Sequence, residues 1–425
     1  MRSWRLAAAC VPLAALAGCR PALKPGVSDV PPLPRYEPGT YTDINPRWSH
    51  DGSRIAFLRS TPDRRLQLVV TDSELERTSA LLEAEIVSPD RPYDSQALRY
   101  SSPDTLAWSP DDHKIAFERA EWFKFDDGQR LPGTAIWSFD VHSGRVSPLA
   151  LHPKRYTSFF YYYHDPQWSP DGGYVAFVAE GINGQRLIAV RCVPVENPKE
   201  VAPRFDNYAS SDWPVWRGAG ANSDRSRSVL GYVQSIFRTA NLPATATLRS
   251  VQPGSADGSQ CRELLRIEPN RYAADPVVRR GTLPGETPQP RIGHPAWSPD
   301  GGRIAFTVTP DANNYARYEL WVLDAASGKA RRVSPDERRG YVAPVWIDNE
   351  RIGALSPNGG RFDVVAIEPS RRSRQVLGTI ETADCDWSPD RTRIVYAAPA
   401  SQRPNTPEDV TTLRFFETHI AVRSK

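Results

Sequence analysis

The chain has 425 residues, 40% of them hydrophobic and 24% charged, with a formal net charge of +3. These are values of a globular protein, and the length allows one large domain or two ordinary ones. Acids and bases are mixed along the chain with no basic arm or stripe, so nucleic acid is not an expected partner. Forty Pro against 27 Gly favour many short strands joined by tight turns.

The N-terminus carries Arg2 and Arg5 and then an apolar run from Leu6 to Gly18, broken by Pro12. That run falls short of the roughly 20 apolar residues a spanning helix needs and reads as a signal peptide over residues 1–18. It ends in Leu16-Ala17-Gly18-Cys19, which resembles a bacterial lipobox. The resemblance implies cleavage before Cys19 and lipidation of Cys19. The alternative is a plain secretory signal with an incidental Cys. Position 20 is Arg rather than Asp. By analogy with known lipoproteins this favours the periplasmic side of the outer membrane, in a host that has one. Residues 19–40 are rich in Pro and Gly and read as a tether.

From residue 41 onward one pattern recurs. It reads Trp48-Ser49-His50-Asp51-Gly52-Ser53-Arg54-Ile55-Ala56-Phe57 in its first copy, and returns at Trp108, Trp168, Trp297 and Trp387. Two weaker copies keep the Pro-x-Trp start, at Trp216 and Trp346. Ser-Pro-Asp-Gly is a type I turn with Pro at the first central position and Gly after it. Ile-Ala-Phe is a short buried strand, and the Trp fills the space between neighbouring sheets. A third strand follows in most copies, as in Leu320–Asp324, and then a hairpin turn with an outer strand, as in Ala326–Ser334. Four strands per copy describe a β-propeller blade. The expected fold is therefore all-β, a propeller over residues 41–425. Seven blades are favoured; six is the alternative if Trp216 or Trp346 starts no blade. Tyr41–Ile44 is expected to complete the last blade beside Thr418–Val422.

The Trp-Ser-Pro-Asp-Gly…Ile-Ala-Phe blades resemble those of the TolB family and, more loosely, the propellers of prolyl-oligopeptidase-type peptidases. The resemblance covers residues 40–425. It departs from TolB in leaving no room for a preceding α/β domain. It implies partners among envelope proteins.

No G-x-S-x-G, H-E-x-x-H, C-x-x-C or phosphate-binding Gly loop occurs. No catalytic residue, cofactor or metal is therefore expected, and the chain reads as a non-enzymatic interaction scaffold at the membrane surface. Alternatives are a small-ligand or metal-binding propeller and a propeller-type hydrolase or lyase. Asp111, Asp171, Asp300 and Asp390 read as turn residues rather than ligands.

The best binding candidates lie at and just before the third position ahead of each anchor Trp. They are Asn45, Asp104, His164, Asp165, Asp212, Trp213, His294 and Asp384, which would ring one mouth of the channel. Acids and His there suit a cation or a basic peptide. A second candidate is the aromatic run from Tyr156 to His164. In it Tyr161, Tyr162 and Tyr163 would form a partner-binding loop or, alternatively, an outer strand. Ala120–Gly128 reads as a hairpin extended beyond its blade, and residues 269–290 as a long loop. Of the Cys, Cys10 leaves with the signal and Cys19 takes the lipid. Cys192, Cys261 and Cys385 remain, and Cys192 with Cys261 is the better pair for a disulfide, three separate thiols being the alternative.

Overall fold

The structure, a computed structural model, describes residues 41–62, 65–85, 106–124, 130–151, 160–181, 186–192, 199–200, 209–218, 228–236, 245–252, 261–268, 290–309, 318–335, 339–399 and 411–420. They belong to one compact unit, Arg35–Lys425. The signal peptide, Cys19, the tether, Asp104 and nearly all of the long 269–290 stretch lie outside the described residues.

All the described regular structure is strand, arranged in antiparallel sets. Each set opens with a strand that ends on an anchor Trp: Thr42–Trp48, Leu106–Trp108, Phe160–Trp168, Ala209–Trp216, Arg291–Trp297, Val342–Trp346 and Cys385–Trp387. Four sheets have four strands each, as the repeat requires of propeller blades. One sheet has eight, because the sets opening at Leu106 and Phe160 are fused. The fusion is the extended hairpin of Lys114–Lys124 and Arg130–Asp140. Its second strand meets the next set in parallel at Thr134 and Tyr162, and Thr134 Oγ1 donates to the Tyr163 carbonyl at 2.8 Å.

The turn after each strong anchor is held by one Ser and one Asp. Ser109, Ser169 and Ser298 donate through Oγ to Oδ1 of Asp111, Asp171 and Asp300, each at 2.5 Å. The same hydroxyls accept the backbone N–H of Lys114, Tyr174 and Arg303 at 2.9 Å. Burial opposes ionisation of Asp111 and Asp171, but these hydrogen bonds hold both carboxylates below their usual range. The recurrent Asp residues are thus turn residues, as expected.

The core lies between successive sets. One cluster joins Leu58, Leu66 and Leu68 of the first set to Trp108, Ile115 and Phe117 of the second. Another joins Leu248 and Ile267 of the fourth to Ile304, Phe306 and Trp321 of the fifth. Each anchor faces back onto the preceding set. Indole N–H groups of Trp108, Trp216 and Trp346 donate to the carbonyls of Arg47, Gln167 and Ala296 at 2.9–3.0 Å. These acceptors all sit one residue before the previous anchor. The residue six positions after one anchor then covers the ring of the next: Arg54 on Trp108, Tyr174 on Trp216 and Arg303 on Trp346.

The last set departs from expectation. It has three strands among the described residues: Cys385–Trp387, Arg393–Pro399 and Thr411–Glu417. Residues Thr42 to Ile44 do not complete it. They pair with Ser60, Arg59 and Leu58 in the first set. The cause is local: buried Asp43 takes both Arg59 Nε and Nη2, at 2.7 and 2.9 Å, and so fixes the strand to its own neighbour. The ends are joined by side chains instead. Asp384 Oδ2 accepts Asn45 N–H at 2.9 Å and Asp386 Oδ2 accepts Trp48 N–H at 2.8 Å.

Candidate functional site

The first strands carry an unusual backbone. Asn45, Asp165, Trp213, His294 and Ala343 all have positive φ, between 47° and 59°. Each stands three residues before its anchor and directly before a Pro, and each coincides with a register shift against the next strand. A left-handed non-Gly residue is uncommon, and five at one repeat position form a built feature. The bulge breaks the strict alternation of the strand and re-aims one side chain.

Four of the five re-aimed residues face a central cavity of about 290 Å³. Asp165, Trp213, His294 and Ala343 line it, together with Gln167, Cys385 and Asp386. Three of the expected ring residues are therefore brought together. His294 packs on Trp213 with ring centroids 4.3 Å apart, and its Nδ1 stands 3.3 Å from Thr307 Oγ1. Gln167 and Asp386 were not singled out in the sequence. Both sit one residue before an anchor, and that shared place in the repeat was the available signal.

His164 stands behind this lining rather than in it. It is buried, with Nδ1 2.8 Å from Asp165 Oδ2. Its Nε2 lies 3.3 Å from Glu180 Oε2, at ion-pair distance but without the alignment of a hydrogen bond. Burial disfavours its charged form, yet the Asp165 and Glu180 carboxylates outweigh burial and push its pKa up to about 10. The network continues from Glu180 to Arg186 at 2.9 Å and from Arg186 to Asp212 at 3.1 Å. Asp212 thus serves a cross-set ion pair; burial raises its pKa against the pull of Arg186. Asn45 and Asp384 form the seam between the last and first sets. Burial likewise raises Asp386 and lifts the Cys385 thiol to about 12, so Cys385 is held protonated.

Tyr163, one of the three expected partner-binding tyrosines, is 5% exposed and packs on Phe177 with centroids 4.8 Å apart. It belongs to the core between the second and third sets, because Phe160–Trp168 is the first strand of a set and not a loop. Tyr162 is half-buried, and the Tyr161 side chain lies outside the described residues. Cys261 is a free thiol whose Sγ lies 3.0 Å from Tyr232 Oη, so it forms no bridge with Cys192. Among the described residues no group of three His, Cys, Asp or Glu could hold a metal ion.

No protein-family model and no curated protein matches the chain. Solved structures do. An oligogalacturonate lyase in complex with manganese superposes with a TM-score of 0.56 at 9% identity, covering 89% of this chain and 90% of that one. The β-propeller domain of the Trilobed protease from Pyrococcus furiosus gives 0.51 at 12% identity, covering 91% and 100%. A Mycobacterium tuberculosis puromycin-hydrolyzing peptidase gives 0.51 at 15% identity, covering 85% of this chain and 50% of that one, so the chain spans about half of that enzyme. TolB proteins also match, at lower TM-scores of 0.39 and 0.41. The expectation of a non-enzymatic chain is corrected here, because a lyase and several peptidases are among the neighbours that share its architecture. At these identities the likeness establishes the fold, and the fold is a β-propeller.

Proposed function

We propose that this protein is a lipid-anchored envelope propeller that binds a partner protein at its central cavity and takes a Lys or Arg side chain of that partner there. The observation that carries this is the lining itself. Asp165 and Asp386 supply carboxylates, Trp213 supplies an aromatic face, and no Lys or Arg lines the cavity among the described residues. Carboxylates and an indole ring suit a cation, through charge-assisted hydrogen bonds and cation–π attraction. Binding side chains held by a rigid scaffold lose little entropy on association. The lipobox-like Leu16–Cys19 supports the anchor, and the TolB-like repeats support a protein partner in the envelope.

The test is a crosslinking pull-down from intact cells with the tagged protein, Trp213→Ala and Cys19→Ala. The reading expects one stoichiometric envelope protein with the wild type and its loss from both variants. Equal recovery by all three would overturn it.

A further inference from the structure

A second cavity, also of about 290 Å³, lies between the fourth and fifth sets and shares no residue with the central one. Arg217, Arg262, Ser250, Gln252 and Trp297 line it, and no carboxylate does among the described residues. It arises where the repeat departs from its pattern. Five anchors are followed by Ser: Ser49, Ser109, Ser169, Ser298 and Ser388. Trp216 is followed by Arg217. The Arg217 guanidinium lies 5.7 Å from the centroid of the Trp297 ring, covering the next anchor from an unusual position.

Two donors are left over. Trp297 Nε1 is buried without a hydrogen-bond partner, as are Trp48 Nε1 and Trp168 Nε1, whereas Trp108, Trp216 and Trp346 each donate to a carbonyl of the preceding set; of the three unpaired anchor indoles, Trp297 is the one that lines a cavity with two guanidinium groups. Arg217 Nε is buried without a partner as well. A buried unsatisfied donor is costly, and a bound acceptor is one way to complete it. Arg262, exposed on the strand Arg262–Ile267, makes one long contact, Nη2 to the Ala326 carbonyl at 3.5 Å.

We propose that this cavity is a binding site for a small anion carrying a phosphate or carboxylate group. The two guanidinium forks match such oxygens, and the indole N–H adds a further directed donor. The cavity is at the small end of the range for ligand sites, so the ligand is small.

Calorimetry of the purified full chain tests this, with inorganic phosphate in one arm and glutarate in the other. The expected result is one saturable site for at least one of the two anions. Arg217→Gln and Arg262→Gln each weaken it by about tenfold or more. Trp213→Ala, in the central cavity, leaves it unchanged. Because Arg262 is exposed, its loss does not endanger folding; melting of the ligand-free variants checks this for Arg217. Failure of both anions to bind at millimolar concentration, or binding that survives both Arg substitutions, overturns the proposal.

Discussion

The guanidinium of Arg393, in the last strand set, lies over the indole of Trp48 in the first, 5.2 Å from the ring centroid. It occupies the same place, six residues after an anchor, from which Arg54 covers Trp108 and Arg303 covers Trp346. The contact that joins neighbours along the chain thus also joins its two ends. Phe415 stacks on the same indole at 5.9 Å, and Arg393 Nη1 reaches the Ser73 carbonyl at 3.2 Å and Glu74 at 3.0 Å. No strand from the N-terminal side completes the last set among the described residues, so closure rests on these contacts and on Asp384 and Asp386.

Arg393→Ala therefore destabilises the propeller by about 1–2 kcal/mol, most of it from the lost cation–π and carbonyl contacts. The Glu74 pair adds little, because Glu74 is largely exposed. Urea unfolding checks the figure. Arg54→Ala, which removes an equivalent contact inside the chain order, gives a drop of similar size. Were these contacts without weight, Arg393→Ala would leave the unfolding midpoint where it is.

The His164 network makes stability depend on pH. Its pKa is near 6.5 in an unfolded chain and about 10 in the folded one. Between these values the folded state holds a proton that the unfolded state has released. The contribution is therefore full below about pH 6.5 and is lost as pH rises through about 10. Urea midpoints measured from neutral to alkaline pH should fall along that window. His164→Gln lowers stability at neutral pH and removes much of the slope. A variant with an unchanged slope would show that His164 is neutral in the fold.

Much of this was legible in the sequence because each unit repeats the same physics. Trp48, Trp108, Trp168 and their equivalents mark set boundaries, and the Ser-x-Asp turn is written next to them. The candidate ring was partly legible: the position three before the anchor faces the cavity at Asp165, Trp213 and His294. Its left-handed backbone was not read, since Trp213 and Ala343 have no preference for positive φ. Asn45, Asp165 and His294 are of the types that tolerate positive φ, but the following Pro at each position argues for extended backbone instead. The seam was hidden because the partners of Asn45 and Trp48, Asp384 and Asp386, come from the far end of the chain. Cys192 and Cys261 lie in successive sets, but neighbouring sets meet through Trp and aliphatic side chains, and Cys261 turns to Tyr232 instead.

Tyr163 offers a direct check of core against surface. It is buried against Phe177, and its carbonyl accepts Thr134 Oγ1 across the fused sheet. Tyr163→Ala leaves a cavity and costs about 3–5 kcal/mol, the range for large aromatic truncations. Tyr163→Phe keeps the ring packed on Phe177 and costs less. Thermal melting of the two distinguishes a core residue from a binding one: a binding residue would tolerate both changes without loss of stability.

Gly353 explains why the middle of Ile-Ala-Phe is Ala or Gly in every copy but the last, which has Val395. It aligns with Ala56, Ala116, Ala176 and Ala305, and the next anchor packs directly on it. A Cβ at Gly353 would stand 2.7 Å from Trp387 Cζ2 and 2.9 Å from Cη2. Trp387 is 6% exposed and wedged among Leu355, Ile380 and Ile394, so it has little room to retreat. Gly→Ala within a strand ordinarily stabilises by about 0.4–1 kcal/mol through the unfolded chain. Here overpacking of about 1–3 kcal/mol outweighs that gain, and Gly353→Ala should lower the melting temperature. Trp387→Phe removes the two ring atoms concerned. In that background Gly353→Ala should become neutral or stabilising, a reversal of sign that a double-mutant cycle reads directly. If Gly353→Ala stabilises the protein with Trp387 in place, the anchor does not set the size of this position.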